Sequence, residues 1–155
     1  LEPEVKAYQP TLEAIKNADL ILIGPGDLYS SLSQILLVKG IPEAIRKSKA
    51  KKVYICNLMT KHGETNNFSV LDFTFEIERY LGAPVDYVIY NQTEPSFKRL
   101  AAYKKEYPWL LEPVKFYEIL DKEKFIGENL LVDQGPLAHD PDKLAKIIIN
   151  LCNKQ

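Results

Sequence analysis

The chain has 155 residues, of which 46% are hydrophobic and 26% charged, with a formal net charge of -1. That is enough chain for one α/β-sized domain with a real core, and the near-neutral balance supplies no global field for nucleic acid or an anionic membrane. No apolar run approaches the roughly 20 residues needed to cross a bilayer, and no signal-peptide pattern is visible at the start.

In chain order, "TLEAIKNA" predicts a short helix opened by Thr11, with Leu12 and Ile15 at helical spacing. "DLILIG" predicts a strand buried on both faces, ending at Gly24. After Gly-Pro-Gly, Leu32, Ile35 and Leu36 fall on one face of a helix that Gly40 stops. Pro42 then sits in the first turn of another helix, "PEAIRKS". "KKVYICNLMT" predicts a second buried strand, followed by the loop "KHGETNN". Ser69 and Asp72 have the spacing of a partial capping box for a helix whose apolar face is Val70, Phe73, Ile77 and Leu81. Gly82 and Pro84 end that helix. "DYVIYN" predicts a third buried strand, and "PSFKRLAAYKKEY" a helix with Phe97, Leu100 and Tyr103 inward. "PVKFYEI" and "NLLVD" are weaker strand candidates. Asp140 and Pro141 form an N-cap and first-turn pair for a last helix burying Leu144, Ile147, Ile148 and Leu151.

Strands that read as continuous apolar runs, alternating with helices, predict a largely parallel sheet with helices on both faces, a three-layer α/β/α arrangement of Rossmann-like type. The whole chain, 1–155, reads as one α/β segment. Ligands of such sheets bind outside the carboxyl ends of the strands. The three loops leaving the strongest strands there, "GPGDLYSS", "NLMTKHGETNN" and "NQTEPS", are rich in Gly, Asn, Ser and Thr.

Cys56 reads as a buried strand residue and Cys152 as part of the last helix. Two reduced thiols in a cytoplasmic protein is the expectation, and no Cys/His spacing suits zinc. The single methionine, Met59, lies mid-chain. The chain is therefore expected to be a piece of a longer protein, and a site shared with the remainder is expected to look incomplete.

The Gly-Pro-Gly turn fails two nucleotide-binding fingerprints. Tyr29 stands where the dinucleotide motif needs its third glycine, and no Gly-Lys-Ser/Thr follows for a P-loop. What remains is a strand, Gly24 and Gly26, the hydroxyls of Ser30 and Ser31, and a helix start whose amides favour an anion. Asp27 would repel a phosphate beside it unless a cation intervenes, and otherwise makes an Asx-type turn while a serine caps the helix. Asn57 and Thr60 end a strand at the ligand edge. They suit a ribose or base, or the locking of the next turn. Asn91 at the third strand end presents the same pair of readings. Glu64 and Thr65 suit magnesium or a sugar hydroxyl, or a helix cap. Tyr29 suits ring stacking or covers its own helix turn. His62 lacks a partner acid or nucleophile, and His139 reads as packing for a helix start. The basic run "RKSKAKK" reads as a solvated helix end.

"ADLILIGPGDLYSSL", "LLVKGIPEAIRKSKAKKVYICNLMTKHGET" and "HDPDKLA" resemble the YvcK-like proteins, called gluconeogenesis factors, which share a superfamily with the CofD-like 2-phospho-L-lactate transferases. The resemblance is dense over residues 18–82 and returns at 139–145. It implies a Rossmann-like fold and the C-terminal part of a longer protein, whose first strand and Gly-Gly-Thr-Gly type loop lie elsewhere. It also implies a nucleotide or UDP-sugar ligand and a role in cell shape, envelope synthesis and gluconeogenic growth; a homo-oligomer is expected as well. The transferase branch instead moves a phospholactyl group from a nucleotide diphosphate carrier to a deazaflavin, with magnesium. YvcK-like members read Gly-Pro-Gly-Ser-Leu-Tyr-Thr-Ser and the transferases Gly-Pro-Ser-Asn-Pro. The turn here follows the first form, departing at Asp27 and Ser30. Lys61 and His62 stand where the family has Gln-Pro, and Lys61 is the cation that would offset Asp27 if the loops meet. The candidate ligand set is Gly24, Gly26, Asp27, Leu28, Tyr29, Ser30, Ser31, Asn57, Thr60, Gly63, Glu64, Thr65 and Asn91. Asp27 and Glu64 are the candidates for magnesium accompanying a nucleotide diphosphate, and no residue is assigned to catalysis.

Overall fold

A computed structural model describes residues 3–117 and 119–153, with the backbone alone at Leu110 and Leu111. The order of elements is α1 (Gln9–Asn17), β1 (Leu20–Ile23), a π-helical turn (Leu28–Leu32) running into α2 (Ser33–Leu36), α3 (Ile41–Lys47), β2 (Lys51–Ile55), β3 (Met59–Lys61), α4 (Val70–Leu81), β4 (Tyr87–Asn91), α5 (Phe97–Glu106), β5 (Leu110–Pro113), β6 (Phe125–Glu128) and α6 (Pro141–Asn153).

Four strands form a parallel sheet in the order β1-β2-β4-β6. Side chains alternate across it. Tyr54, Val88 and Phe125 face one way, into a core closed by Leu36 of α2, Ile45 of α3 and Phe73, Ile77 and Leu81 of α4. Val53, Ile55 and Ile89 face the other way, against Leu144, Ile147, Ile148 and Leu151 of α6. Both faces are covered by helices, as the apolar strand runs require. Because all four strands run together, the loops after β1, β2, β4 and β6 emerge on one edge.

Helix starts follow local chemistry. Ser69 Oγ accepts from the Asp72 amide while Asp72 Oδ2 accepts from the Ser69 amide, closing the capping box of α4. Gly82 ends that helix in the left-handed region. Asp140 Oδ1 accepts from the amides of Asp142 and Lys143 at the start of α6.

Several sequence expectations need correction. "KKVYICNLMT" is two strands, because the chain leaves the sheet after Ile55 and Met59–Lys61 pairs antiparallel with β5 in a separate ribbon. Ile35 is 56% exposed. The bonds from the Leu32 and Ser33 amides to the Asp27 and Leu28 carbonyls widen the turn, so Leu28, Leu32 and Leu36 line the inner side instead. Phe97 is 88% exposed, whereas Leu100 and Tyr103 are half-buried. "PVKFYEI" lies outside β5 except at Pro113, with Glu118 outside the described residues, and "NLLVD" contributes only a bridge between Leu131 and His139. The fourth sheet strand is "FIGE", where a Cβ at Gly127 would lie 2.5 Å from the Tyr90 ring.

Candidate functional site

Three loops meet at the carboxyl edge. Gly24 has φ +89°, and a Cβ there would sit 2.8 Å from the Ile55 carbonyl oxygen, so only glycine lets the turn after β1 press on the end of β2. The Gly24–Pro25 peptide is cis. The turn and the β2–β3 connection then bound a cleft of about 280 Å³ with the loop before α6. Its walls include Gly26, Asp27, Asn57, Tyr103 and His139, and Leu58, Met59, Leu137 and Ala138 make it partly apolar. Larger space, about 470 Å³, lies between α1 and α3. That groove borders Lys16, Lys47 and Ser48 near the amino ends of β1 and β2, and is lined by aliphatic stems and lysines. It is remote from the strand ends that bind ligands in open α/β sheets.

Two polar atoms of the smaller cleft's lining residues are buried and unpartnered: Asn57 Oδ1 and His139 Nε2. Burial holds the His139 imidazole below its ordinary pKa, against the upward pull of the Cys56 backbone carbonyl. Tyr103, from α5, has its phenol pushed up, chiefly by burial.

Beside the cleft stands an ion cluster. Lys61 Nζ lies 2.9 Å from Asp27 Oδ2 and 2.7 Å from Glu64 Oε1. Ser30 Oγ donates to Asp27 Oδ2 at 3.0 Å and lies 3.4 Å from Lys61 Nζ. The Lys61 hydrogen bond holds the Asp27 carboxyl below the usual carboxylate range, helped by Ser30 and opposed by burial. Lys61 is raised in turn, by Glu64 first and then Asp27. Asp27 makes no side-chain cap to its helix, so its carboxylate serves the cluster instead of an Asx turn. The second Glu64 oxygen is buried without a partner.

The other candidates separate by what their side chains touch. Leu28 is a core residue. The Tyr29 hydroxyl donates to Glu76 Oε2 at 3.0 Å and its ring meets Tyr80 edge-on, so it is turned toward α4. Ser31 is exposed. Thr60 Oγ1 bridges both the carbonyl and the amide of Glu112 on the neighbouring ribbon strand. Thr65 Oγ1 accepts from the Lys61 amide, and the Gly63 amide donates to Asn66 Oδ1, so both shape the "KHGETNN" loop. Asn91 Oδ1 accepts from the Leu130 amide while its Nδ2 donates to the Thr93 carbonyl, tying β4 to the segment after β6. Asn91 also borders a second cleft of about 430 Å³ beyond α5. Gly24, Gly26, Asp27, Ser30, Asn57 and Glu64 are thus gathered near one another, whereas Leu28, Tyr29, Thr60 and Asn91 are committed elsewhere. Sequence reasoning left out Tyr103 and placed His139 among packing residues. The signal for His139 was its position before an Asp-Pro helix start that recurs among the matching motifs.

A divalent cation shared by Asp27 and Glu64 does not fit this arrangement, because the Lys61 ammonium already lies between them. No group of three or more His, Cys, Asp or Glu suited to a metal ion occurs among the described residues. No helix of the described residues is long and apolar enough to cross a membrane.

A family model described as 2-phospho-L-lactate transferase CofD matches residues 1–125. A Thermotoga maritima protein is 42% identical over 154 residues, covering 96% of this chain and 48% of that protein. Gluconeogenesis factors of Halalkalibacterium halodurans and Bacillus subtilis are 37% and 33% identical, over 94% and 97% of this chain and 46% and 49% of theirs. A crystal structure of a Bacillus halodurans protein superposes with a TM-score of 0.85 at 37% identity, over 96% of this chain and 48% of that one. The chain spans about half the length of these relatives.

Proposed function

The chain belongs to the CofD family, and from that premise we propose that it forms the C-terminal part of a gluconeogenesis-factor-like regulator that binds a nucleotide diphosphate sugar of the UDP type. The observation that carries this reading is the cleft at the carboxyl edge of the sheet, where Gly26, Asp27, Asn57, Tyr103 and His139 come together from separate segments. Open α/β sheets bind their ligands at this edge. Binding there would couple a cell-envelope precursor to control of envelope synthesis, cell shape and gluconeogenic carbon use. The 1–155 segment would then act together with the remainder of the same α/β domain, in the cytoplasm.

The transferase reading is favoured by the description of the matching family model. Against it stands the Lys61 bridge, which closes Asp27 and Glu64 to a magnesium ion. A thermal-shift panel on the intact protein separates the two. Stabilisation by UDP-sugars supports the regulator. Stabilisation by guanine nucleotides with a deazaflavin supports the transferase. No shift with any nucleotide leaves a structural or oligomerising role.

A further inference from the structure

Resting on that reading of the cleft, we infer that Arg99 is a positioning residue for it: the guanidinium pins the hairpin 131–139, whose return arm supplies Leu137, Ala138 and His139 to the cleft wall.

The hairpin holds little structure of its own. Leu131 bridges His139 antiparallel, the Val132 amide donates to the Ala138 carbonyl at 3.2 Å, and residues 133–136 at the tip are exposed. An isolated two-stranded hairpin is marginal in water, so its placement comes from what it leans on. Leu131 and Leu137 anchor it by being buried with Met59, in a small cluster that Leu100 and Tyr103 of α5 pack against. Two cations from two different helices then tie it. Arg99 of α5 donates through Nη2 to the Pro136 carbonyl at 2.9 Å and through Nε to the Gly135 carbonyl at 3.3 Å. Lys143 of α6 donates to the Leu131 carbonyl at 2.8 Å and to Asp133 Oδ1 at 2.6 Å.

The two ties act on different parts of the hairpin. Lys143 holds the outgoing arm, whereas Arg99 holds the turn, one residue before the chain enters the cleft wall at Leu137. Arg99 and Tyr103 are four positions apart on α5 and so share a face. One helix therefore sets both the Tyr103 wall and the hairpin wall. The rigid guanidinium fork matches two consecutive carbonyls, which the single ammonium of a lysine does not. Gly135 and Pro136 are exposed, so water replaces the two bonds when Arg99 is removed, and the loss loosens the wall without unfolding the core.

The test measures NMR relaxation of backbone amides and calorimetric binding of UDP-glucose in the intact protein, for the wild type, Arg99→Met and Arg99→Lys. In Arg99→Met the order parameters at Gly135, Leu137 and Ala138 should drop by about 0.1–0.2 from the rigid range, with the core amide of Val88 unchanged. UDP-glucose should bind that variant about three- to fivefold more weakly. Arg99→Lys, which reaches one carbonyl at a time, should fall between. A loss of stability alone would move neither readout while the folded population dominates. Unchanged hairpin order in Arg99→Met overturns the inference, as does a lowered urea midpoint with order and affinity kept, which would make Arg99 a plain stabiliser. A loosened hairpin with unaltered UDP-glucose affinity overturns it too, because the hairpin would then be no part of the site. If the hairpin loosens but UDP-glucose does not bind the wild type, the nucleotide-sugar reading fails and the hold of Arg99 on the cleft wall stands.

Discussion

Lys61 Nζ lies 2.9 Å from Asp27 Oδ2, joining the end of β3 to the turn after β1 across 34 positions of sequence. The negative charge that sits awkwardly in a phosphate-type turn is therefore answered from the next strand's loop. Asp27 remains 43% exposed at its side chain, so the pair is screened and its net worth is small, about 0.2–1 kcal/mol. Its larger consequence is geometric, since it holds the "KHGETNN" loop against the turn after β1.

Lys61→Met should let the Asp27 carboxyl rise toward its ordinary value of 3.8. Because the folded-state value is depressed, the pair stabilises above pH 3.8, and that contribution is lost as pH falls through the lower folded value. Carboxyl-carbon NMR titration of wild type and variant measures the rise directly. An unchanged Asp27 titration would show that the ion pair does not persist in solution.

Asp27→Ser removes one of the two carboxylates competing for Lys61. The freed ammonium could then turn to an anionic ligand. Binding of UDP-glucose should be tightened or spared, and calorimetric titration at two salt concentrations checks it. Weaker binding by the variant would mean that Asp27 itself contacts the ligand favourably.

Much of this was legible in the sequence, for physical reasons that differ by element. β2 and β4 are buried on both faces, so their apolar runs are unmistakable, whereas β1, read as a strand buried on both faces, runs along the sheet edge with Leu22 44% exposed. The capping box at Ser69 and the Asp140 cap are local chemistry written within four residues. β6 was not legible: four residues with a central glycine carry little strand signal, and that glycine answers to the Tyr90 ring across the sheet. The inward face after Gly-Pro-Gly was misphased because the π-helical turn breaks the 3.6-residue period on which the reading relies. At the site, Asp27 and Lys61 were recognisable as a pair that needed each other. The vacancies at Asn57 and His139 were not, because a missing partner is a property of the folded molecule alone.

The two cysteines should behave oppositely. Cys56 is fully buried and its thiol is pushed up to about 12 by burial, whereas Cys152 is exposed. Thiolate is the reactive form. A thiol reagent at pH 8 should label one site rapidly in the native protein and the second only after denaturation, with mass spectrometry of peptides locating each. Rapid native labelling of Cys56 would contradict its placement in the core.

His139 makes stability pH-dependent. Its folded value lies below 6.5, so above that pH both folded and unfolded imidazoles are neutral and the group contributes its full share. As pH falls below 6.5 the unfolded state takes up the proton first, and stability is lost until pH passes the folded value. Urea midpoints measured from pH 7.5 to 5 should fall more steeply for the wild type than for His139→Asn. Parallel curves would place His139 in a solvated setting.

The most direct measurement of the central claim is a crystal structure of the intact protein grown with UDP-glucose. The account predicts the ligand at the carboxyl edge, between the turn after β1, the β2–β3 connection and the loop before α6. A nucleotide seated in the groove between α1 and α3 would contradict it.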